Sequence, residues 1–301
     1  MSGKSMVDAV IGTIAAAESH MRHEYSGDWD ATLATVHPEA RYALAQPGFS
    51  AVISGRAGVE THYRGLDGWV IPHASRLVTQ IATDWYMFME NLPTRVFVGS
   101  GEWRIAHTVT LIPAAAPLIK GEMLWEREPD AGPETPEASL RSLELHERFL
   151  DAVRDGDDEA LAALIDPDAM WAERDYLSDL PDQPMLDLRG AASALDYCRA
   201  WRAAYAPERV SILNRIATSW YVFAEELWIV GPASPGGSRR QLRKAAIYPV
   251  TSAGRIKGSI GWGADLSAAA QAAANASFGA AFWEGAVVDH TPDPRLRGRS
   301  R

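Results

Sequence analysis

Residues 81–92 read IATDWYMFMENL and residues 216–227 read IATSWYVFAEEL, with eight of the twelve positions identical at an offset of 135. A match this dense means that the chain is one module written twice, which limits the fold before any other feature is weighed. A second echo pairs Ser26–Tyr42 with Asp155–Trp171 at an offset of 129. A third pairs Ile119-Lys120-Gly121 and Trp125 with Ile256-Lys257-Gly258 and Trp262 at 137. The offset drifts only across turn-rich stretches, where insertions are tolerated. A period near 135 is far longer than a solenoid repeat, so each copy is expected to be a domain with its own core.

The order of elements is the same in both copies. In the first, a helix over 5–25 ends at Ser26-Gly27-Asp28, and a short helix over 29–36 is closed by His37-Pro38. A strand over 41–45 and a helix led by Gly55 follow. Strands are then predicted at 75–82, 86–98, 103–113 and 118–126. The second copy predicts helices over 139–154, 157–165 and 190–203. Its strands fall near 169–173 and over 209–217, 221–230, 239–250 and 255–262. Helices first and strands afterwards mean α+β, with helices on one face of an antiparallel sheet. Residues 128–138 (EPDAGPETPEA) read as a linker. The expected domains are 1–128, catalytic, and 139–265, structural, with a C-terminal Ala-rich helix and tail over 266–301.

A formal charge of −10 argues against nucleic acid, whose phosphates need clustered cations. No stretch reaches the ~20 apolar residues that span a bilayer, so no membrane partner is expected. The single cysteine, Cys198, excludes an internal disulfide and suits a reducing cytoplasm. Eleven tryptophans suggest that some line a pocket for a flat apolar ligand.

A long helix ending in Gly-Asp, a short helix, Asp166-Pro167-Asp168-Ala169 leading to the aromatic Trp171, a Gly-led helix and long strands together resemble the SnoaL-like branch of the nuclear transport factor 2-like superfamily. The resemblance covers both copies. It implies two tandem cone-shaped α+β barrels, each a curved sheet wrapped on helices around one pocket. Members implied as functional models include ketosteroid isomerase, scytalone dehydratase and lyases that release formaldehyde from lignin-derived diarylpropanes. Catalytic members use a few His, Asp, Tyr or Arg side chains in an apolar pocket without metal or nucleotide.

Comparing the copies singles out candidates. His20 and His23 lie one turn apart on the first helix, opposite Phe149 and Ala152, so they are either packing residues or proton-transfer groups. His107 falls in the apolar row Trp103, Ile105, His107, Val109, Leu111 and is placed in the pocket, opposite Lys244; the other reading is an interfacial or core histidine. Tyr42, opposite Trp171, could donate to a developing oxyanion. Trp103, Tyr86, Glu90, Trp69 and Tyr25 are expected to hold the substrate, although Glu90 and Glu225 occur in both copies, which favours a structural role. His37, His62 and His73 are expected to face solvent. No cofactor and no metal are expected, since an i,i+3 histidine pair is weaker than an HExxH helix.

The expected activity is a cofactor-independent lyase or dehydratase. It would use general acid–base catalysis on a hydroxylated aromatic small molecule, such as a lignin-type dimer losing formaldehyde. The chain is expected to be cytoplasmic and homo-oligomeric. The alternatives are an isomerase of the ketosteroid type, or a non-catalytic ligand-binding or assembly module with its histidines at an interface.

Overall fold

The computed structural model describes residues 3–178, 184–231 and 239–266. The first half runs α1 (Gly3–Ser26), α2 (Trp29–Ala34), β1 (Val36–Gln46), β2 (Phe49–Ser54), α3 (Gly55–Leu66), β3 (Val70–Ala82), β4 (Tyr86–Phe97), β5 (Glu102–Ile105), β6 (Thr108–Ala115) and β7 (Leu118–Glu126). The second half runs α4 (Pro136–Asp155), α5 (Asp158–Leu164), β8 (Ile165–Ala172), β9 (Leu188–Arg189), α6 (Ala191–Tyr205), β10 (Pro207–Ala217), β11 (Tyr221–Val230), β12 (Arg240–Pro249) and β13 (Ile256–Leu266). The expected helix and tail beyond 266 lie outside the described residues.

Each half contributes one sheet. The orders are β2-β1-β7-β6-β4-β3, with β5 also on β4, and β10-β11-β12-β13-β8-β9. Neighbours are antiparallel except β1 with β7 and β8 with β13. The architecture is α+β as expected, and neither sheet closes on itself into a barrel. No described helix is long and apolar enough to cross a membrane.

The caps follow the local chemistry. Asp28 accepts from Ala31 N and Asp157 from Ala160 N, which satisfies an otherwise orphan amide at the start of each short helix. The glycine of each Ile-Lys-Gly motif has a steric purpose. A Cβ on Gly121 would collide with the Arg41 carbonyl oxygen, and one on Gly258 with that of Met170, at the close parallel crossings β1–β7 and β8–β13. Val36, expected to end the short helix, and His37-Pro38, expected to close it, already belong to β1, and β2 was not foreseen.

Each sheet is covered on both faces. In the first half α1, α2 and α3 bring Ala16, Ala17, Trp29, Leu33, Val59 and Tyr63 onto Leu44, Met87, Met89 and Ile112. The opposite face packs on the second half. Tyr86, Phe88, Val109, Leu111 and Trp125 join Trp220, Tyr221, Phe223, Ala245 and Ile247 in one buried cluster. Phe88 stacks on Phe223 at 4.0 Å between ring centroids, and these are equivalent residues of the repeat. Each large side chain buried there stabilises the contact by roughly 1.5–3 kcal/mol.

The contact is reciprocal. Tyr86 donates to Glu225 Oε2 at 2.8 Å, and its equivalent Tyr221 donates to Glu90 Oε2 at 2.8 Å. Each glutamate also has a basic partner on its own half: His107 Nε2 lies 2.5 Å from Glu90 Oε1, and Arg243 Nε lies 2.5 Å from Glu225 Oε1. The strand registers, Glu90 with Val109 and Glu225 with Ala245, make Arg243 rather than Lys244 the equivalent of His107.

Candidate functional site

Between the helices and the inner face of the first sheet lies a cavity of about 650 Å³. Tyr25, Trp29 and Tyr63 give it an aromatic wall, while Phe49 and Trp69, both about half exposed, stand at its rim. Arg104 lies over the Phe97 ring, 4.9 Å from the centroid, on the same lining. The row of β6 that faces inward is Thr108, Thr110 and Ile112.

The ionisable groups of this lining are unevenly paired. Arg95 on β4 is bridged to Glu126 on β7 at 2.9 Å. That leaves Glu24 on α1 and Glu122 on β7, which have no hydrogen-bond partner among the described residues although Glu122 is only 7% exposed. Donor atoms of Glu24, Glu122 and His20 lie within 4.8 Å of one another. Two full charges at that spacing repel by about 3.5 kcal/mol at an effective dielectric of about 20. Burial pushes the Glu24 carboxyl up to about 7, with Arg95 pulling the other way. Glu122 is driven well above the usual carboxylate range by burial and then by Glu24. The two therefore behave as one site that holds a proton near neutral pH.

His20 sits just behind this pair. Its Nδ1 lies 2.7 Å from Thr35 Oγ1, and that hydroxyl donates onward to the Thr32 carbonyl at 2.6 Å. Nδ1 therefore carries the proton, and Nε2 is the acceptor for the Tyr63 hydroxyl at 3.1 Å, with the Tyr42 hydroxyl beside it at 3.4 Å. Burial pushes its pKa down to about 4, so the imidazole is neutral.

The structure thus divides the expected site residues. Tyr25 and Trp69 line the cavity, and His20 and Tyr42 stand behind its wall. Half-buried His23 is not part of the lining. Trp103 is 60% exposed and is not part of the lining. Tyr86, Glu90 and His107 lie at the contact between the halves, where His107 meets Trp220 edge-on at 4.9 Å; with Val109 and Leu111 it faces the other sheet and not the pocket. Of the three histidines expected to face solvent, His62 lines the cavity and burial lowers its pKa. His37 is half-buried, and the side chain of His73 lies outside the described residues.

Glu24, Glu122 and Arg95 were not found from the sequence. The signal was present: Glu24 stands opposite Val153 at the offset of 129, and Glu122 opposite Ser259 at 137.

The corresponding space in the second half is nearly full, about 40 Å³, packed by Phe149, Trp171, Trp228 and Tyr248. Lys244 is buried there. It is bridged to Glu173 and bonded to Ser259 Oγ at 3.1 Å. Burial pushes its ammonium down, but Glu173 and Glu226 outweigh this and hold it above its ordinary range. Glu226 accepts from Tyr248 and from Trp228 Nε1. Each of these charged groups is bonded within the core, which suits packing rather than catalysis.

An open sheet with helices over one face and a cavity between them defines a class of α+β domains built around small-molecule pockets. Residues 146–258 match the SnoaL-like domain family, and this stretch is a SnoaL-like domain. Solved structures with similar coordinates include a ketosteroid isomerase-like protein from Erwinia carotovora atroseptica, with 16% identity, 40% of this chain and 97% of that chain covered, and a TM-score of 0.33. An NTF2-like protein from Burkholderia xenovorans has 9% identity, 39% and 91% coverage, and a TM-score of 0.33. One from Cytophaga hutchinsonii has 17% identity, 38% and 100% coverage, and a TM-score of 0.30. No curated protein matches the chain. The SnoaL-like family supports small-molecule binding or isomerase- or dehydratase-type chemistry.

Proposed function

We propose that the first-half cavity is an active site in which Glu24 and Glu122 move a proton on a small hydroxylated aromatic molecule, in an elimination or isomerisation that needs no cofactor. The observation that carries this reading is the pair of facing carboxyls, free of any described partner, on the wall of a 650 Å³ cavity. One protonated and one ionised carboxyl supply an acid and a base within reach of the same substrate. Tyr25, Trp29, Tyr63 and Trp69 offer flat surfaces to an aromatic ring. The volume is of the order that small-molecule sites of two-ring ligands have, which supports a lignin-type dimer as the substrate to try first. On such a substrate the protonated carboxyl gives its proton to a benzylic hydroxyl, which leaves as water; the ionised one takes the proton of the terminal hydroxymethyl O–H as that carbon departs as formaldehyde, and the electron pair of the broken C–C bond becomes the C=C bond of the product. His20 acts as a positioning residue, fixing Tyr42 and Tyr63 behind the pair.

The test is a product screen of two-ring and one-ring phenols bearing benzylic hydroxyls, with formaldehyde assayed directly. Glu24→Gln and Glu122→Gln should each lower turnover about 10²–10⁴-fold, the range for losing a general acid or base, while the folded fraction stays unchanged. Turnover retained in both variants would overturn the assignment.

A further inference from the structure

We propose that His20, Glu24 and Glu122 form a binding site for one divalent transition-metal ion, of the zinc or manganese kind, at the wall of the first-half cavity. Three features carry it. The three side chains already place an imidazole nitrogen and two carboxylate oxygens within 4.8 Å of one another. Metal-bound nitrogens and carboxylate oxygens sit about 2.0–2.2 Å from zinc, so a closure of an ångström or so completes the set. Half-buried Glu24 has no hydrogen bond to break and can supply that movement.

The histidine is prepared as a ligand should be. Its Nδ1 is committed to Thr35 at 2.7 Å, which fixes the ring and leaves Nε2 as the nitrogen that can accept a ligand bond. Metal-bound histidines are ordinarily oriented in this way through their second nitrogen. The Tyr63 hydroxyl that now donates to Nε2 would turn away on loading.

Glu122 supplies the independent observation. It is more than nine-tenths buried, aimed into the cavity, and without a hydrogen-bond partner among the described residues. The nearby cation does not supply one, because Arg95 is already bridged to Glu126 and that pair is neutral as a whole. A mixed nitrogen and oxygen set with its open positions on a water-accessible cavity suits zinc, manganese or ferrous ions. It does not suit magnesium, which prefers oxygen alone.

An ion held here occupies the two carboxyls that the proposed reaction needs, so loading should inhibit turnover. Only that consequence rests on the proposed reaction; the binding does not.

The test uses the full chain after dialysis against chelator, titrated calorimetrically with zinc and with manganese, and with magnesium as the control. The expected result is one zinc or manganese ion per chain, reversed by chelator, and at least tenfold weaker magnesium binding. Glu122→Gln and His20→Gln should each weaken zinc at least tenfold. Should His20→Gln fail to fold, Glu122→Gln decides alone, together with the water-proton relaxation of bound manganese, which reports an open coordination position. Absence of saturable zinc binding, or zinc affinity unchanged in Glu122→Gln, overturns the site. No zinc binding with turnover intact removes the metal site and leaves the reaction. Zinc bound at the site with no turnover on any phenol removes the reaction and leaves the metal site.

Discussion

The two equivalent tyrosines at the contact between the halves should differ in what their loss costs. Tyr221→Phe removes one of two groups on Glu90, the other being His107 at 2.5 Å. Tyr86→Phe removes one of four groups on Glu225, which keeps Arg243 at 2.5 Å, Asn214 at 2.6 Å and Trp85 at 3.4 Å. Both carboxylates are buried, Glu90 at 6% exposure and Glu225 at 0%, so water cannot replace the missing donor. A hydrogen bond to a buried charge contributes about 1.5–3 kcal/mol, and leaving the charge short of partners places the loss at the upper end. Tyr221→Phe should therefore cost about 3 kcal/mol and Tyr86→Phe about 1.5 kcal/mol, the lower end of that range. At about 2 °C per kcal/mol for a chain of this size or a little smaller, the melting temperatures should fall by roughly 6 °C and 3 °C. Urea unfolding followed by tryptophan fluorescence measures both, since Trp85 and Trp220 flank the two tyrosines. Equal costs, or a larger loss for Tyr86→Phe, would refute the partner-counting behind the numbers.

Two further outcomes are expected. His107→Ala should lower the melting temperature by several degrees, through loss of its contacts with Glu90 and Trp220, while a phenol probe binds the cavity within twofold of the unmodified chain; a selective loss of probe binding would return His107 to the site. Acid should weaken the metal-free chain, because His20 and His146 are buried and neutral, with pKa values held below 6.5 chiefly by burial. Their contribution is fully present above pH 6.5 and is lost as pH falls, for His20 down to about 4, a span worth about 3 kcal/mol. Urea midpoints measured from pH 7.5 to 4.5 check this, and a flat profile contradicts it.

Much of the fold was legible because period-2 strands, Gly-Asp helix junctions and the repeat all pointed one way. The candidate site was harder to see for a definable reason. The row Trp103, Ile105, His107, Val109, Leu111 was expected to be one side of a single strand, but β5 ends at Ile105 and β6 begins at Thr108, so His107 lies between the two. A sheet covered on both sides also has two inward rows, and periodicity does not say which one meets the pocket. The row that does, Thr108, Thr110 and Ile112, is the more polar one. Histidines drew the comparison of the copies, whereas Glu24 against Val153 and Glu122 against Ser259 carried the same signal in carboxyl form. Strand β2 escaped because the β1–β2 turn lies at Pro47-Gly48, inside a stretch without alternation.

The identical positions of the repeat can now be sorted by direction. Trp85, Tyr86, Phe88 and Glu90 share their residue types with Trp220, Tyr221, Phe223 and Glu225, and all eight meet where the two sheets touch. Met87, Met89 and Asn91 alternate with them, face the interior of their own half, and differ from Val222, Ala224 and Glu226. In an assembly of two identical subunits, any change that fills one pocket fills both, because one gene writes both copies. Joining the copies in one polypeptide removes that restriction. The shared seam still has to match itself, but each interior answers only to its own half, and a hollow can be kept in one while its twin is filled.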